Sequence, residues 1–270
     1  YLYYSREMNL RSLERLKMEG GLRHALERSE FMLHFQPQLD LASSCIIGTE
    51  ALLRWAPPGR DMVSPAQFIP VAEETGLIVP IGEWVIDAAC KQLRAWLDAG
   101  LNPVKVAVNL SPRQFSQNLP RTVMRYLREY GISPDLLEVE ITESMLMHNT
   151  DSVVAMMKEF AEAGIVISLD DFGTGYSSLS YLKRFPIDTL KIDQSFVRGI
   201  PQDANDSAIA TAIISMAKAL KLRVIAEGVE TESQLDFLRS AGCDEIQGYW
   251  FSKPVPADAF AQLLRETNGA

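Results

Sequence analysis

Asn109, Glu140, Asp170, Lys191, Glu227 and Gln247 each close a largely apolar run: VKVAVN, LLEVE, IVISLD, IDTLK, RVIAE and DEIQ. The set is rich in carboxylates, and Glu50 adds another from inside the apolar stretch CIIGTEALLRW. So many acids converging on one place would repel and raise one another's pKa unless cations neutralise them. Oxygen donors without His or Cys point to Mg²⁺ or Mn²⁺, not to zinc or copper. Asp170 and Asp171 open the segment DDFGTG, where Gly173 and Gly175 permit a sharp turn. Consecutive carboxylates on such a loop can reach two ions, which an extended strand cannot arrange. Lys191 has two readings: a counter-ion for Asp193 or Glu227, or a group that orients a water and helps to deprotonate it. Arg54, four residues past Glu50, has the forked guanidinium that holds a phosphate oxygen. Two metal ions and a positioned water amount to phosphoester hydrolysis by in-line displacement. The plainer readings are an ion-paired strand filler for Glu50 and a solvated turn for the aspartate pair.

The elements that must position these residues follow from periodicity. The six strand-end residues are spaced at intervals of 20 to 36, one strand plus one helix with loops. From residue 102 the pattern predicts strands at 103–110, 136–142, 165–170, 187–192, 222–227 and 244–247. Between and after them it predicts helices at 120–130, 151–163, 176–184, 203–221, 231–240 and 256–266. Upstream lie the alternating FMLHFQPQLD, the strand CIIGTEALLRW, and helices in PAQFIPVAEETG and IGEWVIDAACKQLRAWLDAG. In the latter, Trp84, Ile86, Leu93, Trp96 and Leu97 form a buried stripe that stops at Gly100. About eight strands alternating with helices predict a TIM-like (β/α)8 barrel with its active site at the C-terminal face of the strands. The first strand reads as half-buried and is expected to pair differently, antiparallel to its neighbour. Residues 1–28 read as a helical lead-in, two short helices broken at Gly20-Gly21, or the end of an upstream domain. Residues 29–270 read as the barrel.

At 270 residues and 47% hydrophobic, the chain supports one large core. A net charge of −9 argues against a nucleic-acid polymer as partner. The three cysteines are dispersed and form no CxxC, which excludes a disulfide framework or zinc site and fits a cytoplasmic setting. His24, His34 and His148 lack metal-ligand spacing and read as surface or packing residues. No apolar run reaches bilayer-spanning length.

Glu50-Ala51-Leu52-Leu53-Arg54 resembles the EALLR signature of the EAL domain family, bacterial phosphodiesterases that hydrolyse cyclic di-GMP. The resemblance continues in FQPQ (35–38), PAQFIPVAEETGLI (65–78), NLSPRQF (109–115), EVEITES (138–144), DDFGTGYSSLSYL (170–182), LKIDQSFV (190–197), IAEGVET (225–231) and QGYWFSKP (247–254). It covers roughly residues 22–266, with the motifs in the family's order.

The resemblance implies that Glu50, Asn109, Glu140 and Asp170 hold a first Mg²⁺ or Mn²⁺ and that Asp171 holds a second. Lys191 would contact the catalytic water. Glu227 would support the metal site directly or through water, with Gln247 a polar group close by. Glu143 would steady the DDFGTG loop, and Gln36, Arg54, Asp193 and Pro254 fall where the family touches substrate. The implied product is linear 5′-pGpG, with Ca²⁺ inhibitory. Also implied are a homodimer formed through the region after the DDFGTG loop and an upstream GGDEF or sensory domain, the full-length protein being membrane-anchored if its upstream segments are. A cyclic di-GMP receptor that signals through a partner without turnover is the competing reading. An enolase-type lyase leaves DDFGTG and Arg54 unexplained. No metal or lysine position departs from the pattern; Trp250 and Gln194 are variations outside it.

Overall fold

The computed structural model describes residues 6–115, 118–147, 150–174, 182 and 184–269. Eight strands close a barrel in chain order. They are β1 (Phe31–Asp40), β2 (Ile46–Trp55), β3 (Lys105–Asn109), β4 (Leu137–Thr142), β5 (Val166–Phe172), β6 (Thr189–Ile192), β7 (Arg223–Glu227) and β8 (Glu245–Gln247). β1 runs antiparallel to both β2 and β8, and every other neighbouring pair is parallel. The expected antiparallel first strand is therefore present. Its alternation holds only in its first half: Phe35 to Leu39 are all buried. The outer face is covered there, with Phe35 edge-on to Trp96 at 4.8 Å and Trp96 against Phe260 at 4.9 Å.

Helices α1 (Arg6–Ala25), α2 (Pro65–Thr75), α3 (Ile78–Asp98), α4 (Leu119–Glu129), α5 (Glu143–Met147) and α6 (Thr150–Glu162) surround the first five strands. The short α7 (Gln194–Val197), then α8 (Ala204–Ala219), α9 (Glu232–Ser240) and α10 (Ala257–Asn268), complete the ring. The helix expected over 176–184 falls mostly outside the described residues, as do His148 and Gly175. Composition explains the boundaries. α2 begins at Pro65, whose missing N–H costs nothing in a first turn, and stops at Gly76 with φ +77°. In α3 the apolar stripe is realised in Ile86, Leu93 and Trp96, all buried, and the chain turns at Gly100. Asn268 locks the last helix to the barrel, its amide bonding both the N–H and the C=O of Ile46 at 2.8 Å. Among the described residues no helix is long and apolar enough to cross a membrane.

The lead-in departs from expectation. Gly20-Gly21 predicts a break, yet α1 runs through it as one helix. Gly21 lies over Trp55, where a Cβ would stand 2.9 Å from ring carbon Cζ2. The glycine permits a close approach, and the packing behind it offsets its poor helix propensity. Leu22 and Ala25 are buried with Phe31, Trp55, Phe68 and Ala72, and buried Glu30 accepts from Trp55 Nε1 at 3.0 Å. The two glycines should therefore respond oppositely. Gly20→Ala meets open space and should stabilise the protein by up to about 1 kcal/mol. Gly21→Leu should destabilise it by about 1–3 kcal/mol through overpacking. Urea unfolding of both variants checks this, and a stabilised Gly21→Leu would refute the Trp55 contact.

Candidate active site

Lys191 is completely buried inside the barrel near its C-terminal mouth. Its Nζ lies 2.6 Å from Glu227 Oε1, 2.8 Å from Glu140 Oε1, 3.5 Å from Asp170 Oδ1 and 3.7 Å from Glu50 Oε2. Register explains the convergence. Asn109 pairs with Glu140, Glu227 with Gln247, and Gln36 with Glu50, so neighbouring strands present these side chains in adjoining rows. Asn109 Nδ2 donates to Glu50 Oε1 at 2.6 Å, and Gln247 Nε2 donates to Glu50 Oε2 at 2.5 Å.

The opposite end of the barrel supplies an internal control for the strand-filler reading. Glu138 and Glu245 are also buried at barrel strands. Each has its own cation: Lys105 Nζ is 2.8 Å from Glu138, and Arg223 Nε is 2.5 Å from Glu245. At the mouth, four carboxylates share one ammonium and Asp171 stands beside them. Neither Glu140 oxygen, although both are buried, makes a directed hydrogen bond. Counter-ion duty for Lys191 thus leaves most of the negative charge uncompensated.

The ionisation equilibria carry the same imbalance. Burial, then repulsion from Glu50, pushes Glu140 well above the usual carboxylate range. Burial, with Asp170 and Glu50 outweighing the pull of Lys191, lifts Glu227 to about 8. Asp171 rises to about 6 through burial and its neighbours Asp170 and Asp193. Glu50 goes the other way: burial opposes its charge, but Lys191 and the bonds from Gln247 and Asn109 hold it below its ordinary value. Burial would also lower Lys191, yet Asp170, Glu140, Glu227 and Glu50 drive it well above the ordinary lysine value. Lys191 is accordingly a fixed cation and hydrogen-bond donor.

An extended strand turns successive side chains to opposite faces, so Asp170 and Asp171 need a device to act together. β5 supplies a register shift against β6 between Leu169 and Phe172, and Asp171 takes φ +55°, which aspartate tolerates better than most residues. Carboxylate oxygens of Asp170, Asp171 and Glu227 then lie within 4.8 Å of one another. This dense all-oxygen set with undercompensated charge fits hard divalent cations. Glu143 Oε2 accepts from the Gly173 N–H at 2.9 Å, bracing the segment that follows. Gly173 itself has φ +100°, and a Cβ there would stand 2.8 Å from Phe196. The region after the DDFGTG loop, expected to carry a dimer contact, begins among residues 176–181, which lie outside the described ones.

The remaining candidates divide between two cavities. Gln36, Glu50, Asp170, Glu227 and Gln247 line a polar cleft of about 250 Å³. Arg54 instead lines an adjoining, mostly apolar cavity of about 430 Å³ that also touches Asn109 and Thr142; its Nη1 donates to Leu53 O. Asp193 caps α7 by accepting from Ser195 N at 3.0 Å. Pro254 precedes Val255, which bridges to Phe35 in the middle of β1.

Sequence reading overlooked the residues that hold Asn109. Ser111 caps the Pro112–Gln114 turn and donates to Glu73 of α2 at 2.8 Å. Gln114 Oε1 accepts from Ser111 N, and its amide packs against Gly82 of α3, where a Cβ would collide with it. The Ser-x-x-Gln spacing of a capping box was the available signal. Gln38, whose amide donates to Gln247 at 3.2 Å, was overlooked as well; its position two residues past Gln36 places both on one strand face.

The EAL domain family matches residues 19–254 of this chain. The chain is 44% identical over 98% of its length to the bifunctional diguanylate cyclase/cyclic di-GMP phosphodiesterase MucR of Pseudomonas aeruginosa. It is 42% identical, again over 98%, to the cyclic di-GMP phosphodiesterase PdeR of Escherichia coli. It spans only 38% and 40% of the lengths of these two relatives. A solved structure of the PaMucR phosphodiesterase in complex with c-di-GMP superposes with a TM-score of 0.87 at 45% identity, covering 90% of this chain and 99% of that one.

The raised carboxylates make the metal-free protein sensitive to pH. Folded, Glu227 keeps its proton to about pH 8 and Asp171 to about 6, whereas their ordinary values are 4.5 and 3.8. Between those limits the folded state binds more protons than the unfolded one, so stability falls as pH rises. Lys191 stays protonated throughout that window and Glu50 stays ionised, so neither adds slope. In chelator, the unfolding free energy should fall between pH 5 and 8, on the order of 1.4 kcal/mol per pH unit from mostly buried Glu227 and less from half-exposed Asp171, whose contribution ends near pH 6. Glu227→Gln should make the profile shallower. A flat profile in urea titrations would show that the charges are compensated without ions.

Proposed function

Because the chain belongs to the EAL domain family, we propose that it is a metal-dependent phosphodiesterase that hydrolyses cyclic di-GMP to linear 5′-pGpG. The observation that carries this reading is the undercompensated carboxylate cluster around Lys191, set beside two acids at the other end of the same barrel that each meet a cation at 2.5–2.8 Å.

Glu50, Asn109, Glu140 and Asp170 would hold one ion, Asp170 and Asp171 would reach a second, and Glu227 would complete the set. When bound, two Mg²⁺ or Mn²⁺ ions supply positive charge against the phosphate oxygens and lower the pKa of the attacking water. Lys191, held protonated, donates to that water, fixes its lone pair toward phosphorus and stabilises the charge left when its proton departs. The water oxygen forms a bond to phosphorus as the P–O3′ bond breaks in line. The proton lost by the water passes to solvent and the 3′-oxygen takes one up from solvent, leaving a 5′-phosphate on one nucleotide and a free 3′-hydroxyl on the other. Arg54, which lines the apolar cavity with Asn109, would hold phosphate or base, with Gln36 in the polar cleft beside Glu50. Glu143 keeps Asp171 in register through the Gly173 N–H, so loop order and ion binding are coupled. Ca²⁺, larger and less strict in geometry, would be expected to inhibit.

The test is incubation of the purified chain with cyclic di-GMP and Mn²⁺ or Mg²⁺, with chromatography for pGpG. Binding without product would overturn the enzyme reading in favour of a receptor. Glu50→Ala should abolish turnover and weaken metal binding. Lys191→Ala should retain metal while losing about 10²-fold or more in kcat. Loss of metal occupancy in Lys191→Ala would make the lysine structural.

A further inference from the structure

Gln38 takes no part in the proposed chemistry, yet it is 2% exposed and sits directly below the site. It follows Gln36 by two residues on β1, so both amides point into the barrel. Its register partner on β2 is Gly48, where a Cβ would collide with Gln38 Oε1. The glycine therefore makes room for this side chain. Gln38 Nε2 donates to Gln247 Oε1 at 3.2 Å. Gln247 Nε2 donates in turn to Glu50 Oε2 and to Gln36 Oε1.

The direction of this relay is forced. Glu50 takes Asn109 Nδ2 on one oxygen and Gln247 Nε2 on the other, so it acts as an acceptor at both. Gln247 must therefore turn its NH₂ toward Glu50, which leaves its carbonyl oxygen buried on the opposite side. A buried acceptor needs a donor, and Gln38 is the donor there. Without it, that buried oxygen loses its donor and the Gln247 side chain is freed to shift, drawing its Nε2 away from Glu50. Gln36 is anchored separately, its Nε2 donating to the Ser252 carbonyl at 3.2 Å.

We propose that Gln38 is a positioning residue that fixes the orientation of the Gln247 amide and thereby aims Glu50 at the metal ions. This rests on the phosphodiesterase reading for its kinetic consequence but not for its effect on metal binding. Gln38→Met keeps chain length and removes the amide. It should weaken Mn²⁺ binding, measured by calorimetry with the metal alone, about tenfold and lower kcat by about 10- to 100-fold. KM for cyclic di-GMP should change less than about threefold, because Gln36 keeps its own anchor. The double variant Gln38→Met/Gln247→Leu should be no worse than Gln247→Leu alone, since both remove one relay. A generalised packing defect would instead make the losses add. Gln38→Glu, which keeps both length and volume, should lose at least as much and serves if the methionine variant does not fold. Wild-type Mn²⁺ affinity in either variant, or additive losses in the double variant, would overturn the proposal. If the wild-type chain proves inactive, the phosphodiesterase reading fails while the Mn²⁺ titration still decides the role of Gln38.

Discussion

One buried ammonium among four carboxylates is the constraint on which the rest of this structure depends. Removing ionised groups from water costs several kcal/mol apiece even after relaxation, and a single Lys191 cannot offset that for every acid around it. The barrel tolerates the arrangement because the outward faces of the same strands are aliphatic and packed beneath the helices, with Val106, Val139, Ile167, Leu190 and Val224 all fully buried. It also tolerates it because the acids reach the mouth from different strands, each held by its own backbone ladder. Repulsion that would splay a loop cannot easily move a strand inside a closed sheet.

The same repulsion accounts for the braces around the mouth. Asp171 could not join Asp170 without the register shift in β5, and the shifted backbone is held by Glu143 through the Gly173 N–H. Asn109 ends its strand in a turn fastened to α2 by Glu73 and to α3 by Gln114 at Gly82. Glu50 receives amide donors on both oxygens. The amides bond Glu50 itself, and the other braces hold backbone within two residues of Asp171 and Asn109, where a shift of a fraction of an ångström would change coordination. The glutamine and asparagine braces are neutral amides, and the two acidic ones, Glu143 and Glu73, accept from a backbone N–H and a serine hydroxyl.

This layering explains what could be read from the sequence. Strand-end residues stand out because a polar side chain interrupts an apolar run, and Asp170-Asp171 stands out because it is improbable inside a strand. Glu73, Ser111, Gln114 and Gln38 do not. Their partners are distant in the chain or lie across the barrel, and a glutamine in a strand carries no signal until its neighbour is known. Gly20-Gly21 misled for a related reason. Local propensity favours a break, and only the Trp55 ring, more than thirty residues on, shows why the helix needs a bare surface there. The first strand's alternation likewise faded where Trp96 and Phe260 cover its outer face. Short-range chemistry was legible; long-range packing was not.

The antiparallel first strand has the widest consequence. In an all-parallel barrel the chain enters from the end opposite the catalytic mouth. Here β1 runs against its neighbours, so its first residue, Phe31, pairs with Trp55 at the mouth end of β2. The helix before it, α1, must then pack on that same rim, which is where Gly21 meets Trp55 and Leu22 is buried. The reversal also sets Gln36 opposite Glu50 and brings Gln38 beside Gln247 of β8. A parallel strand in that place would present a different pair of residues to the site and would carry its leading helix to the other end. One inverted strand thus sets Gln36 and Gln38 against Gln247 and delivers α1 to the rim that carries the carboxylate cluster.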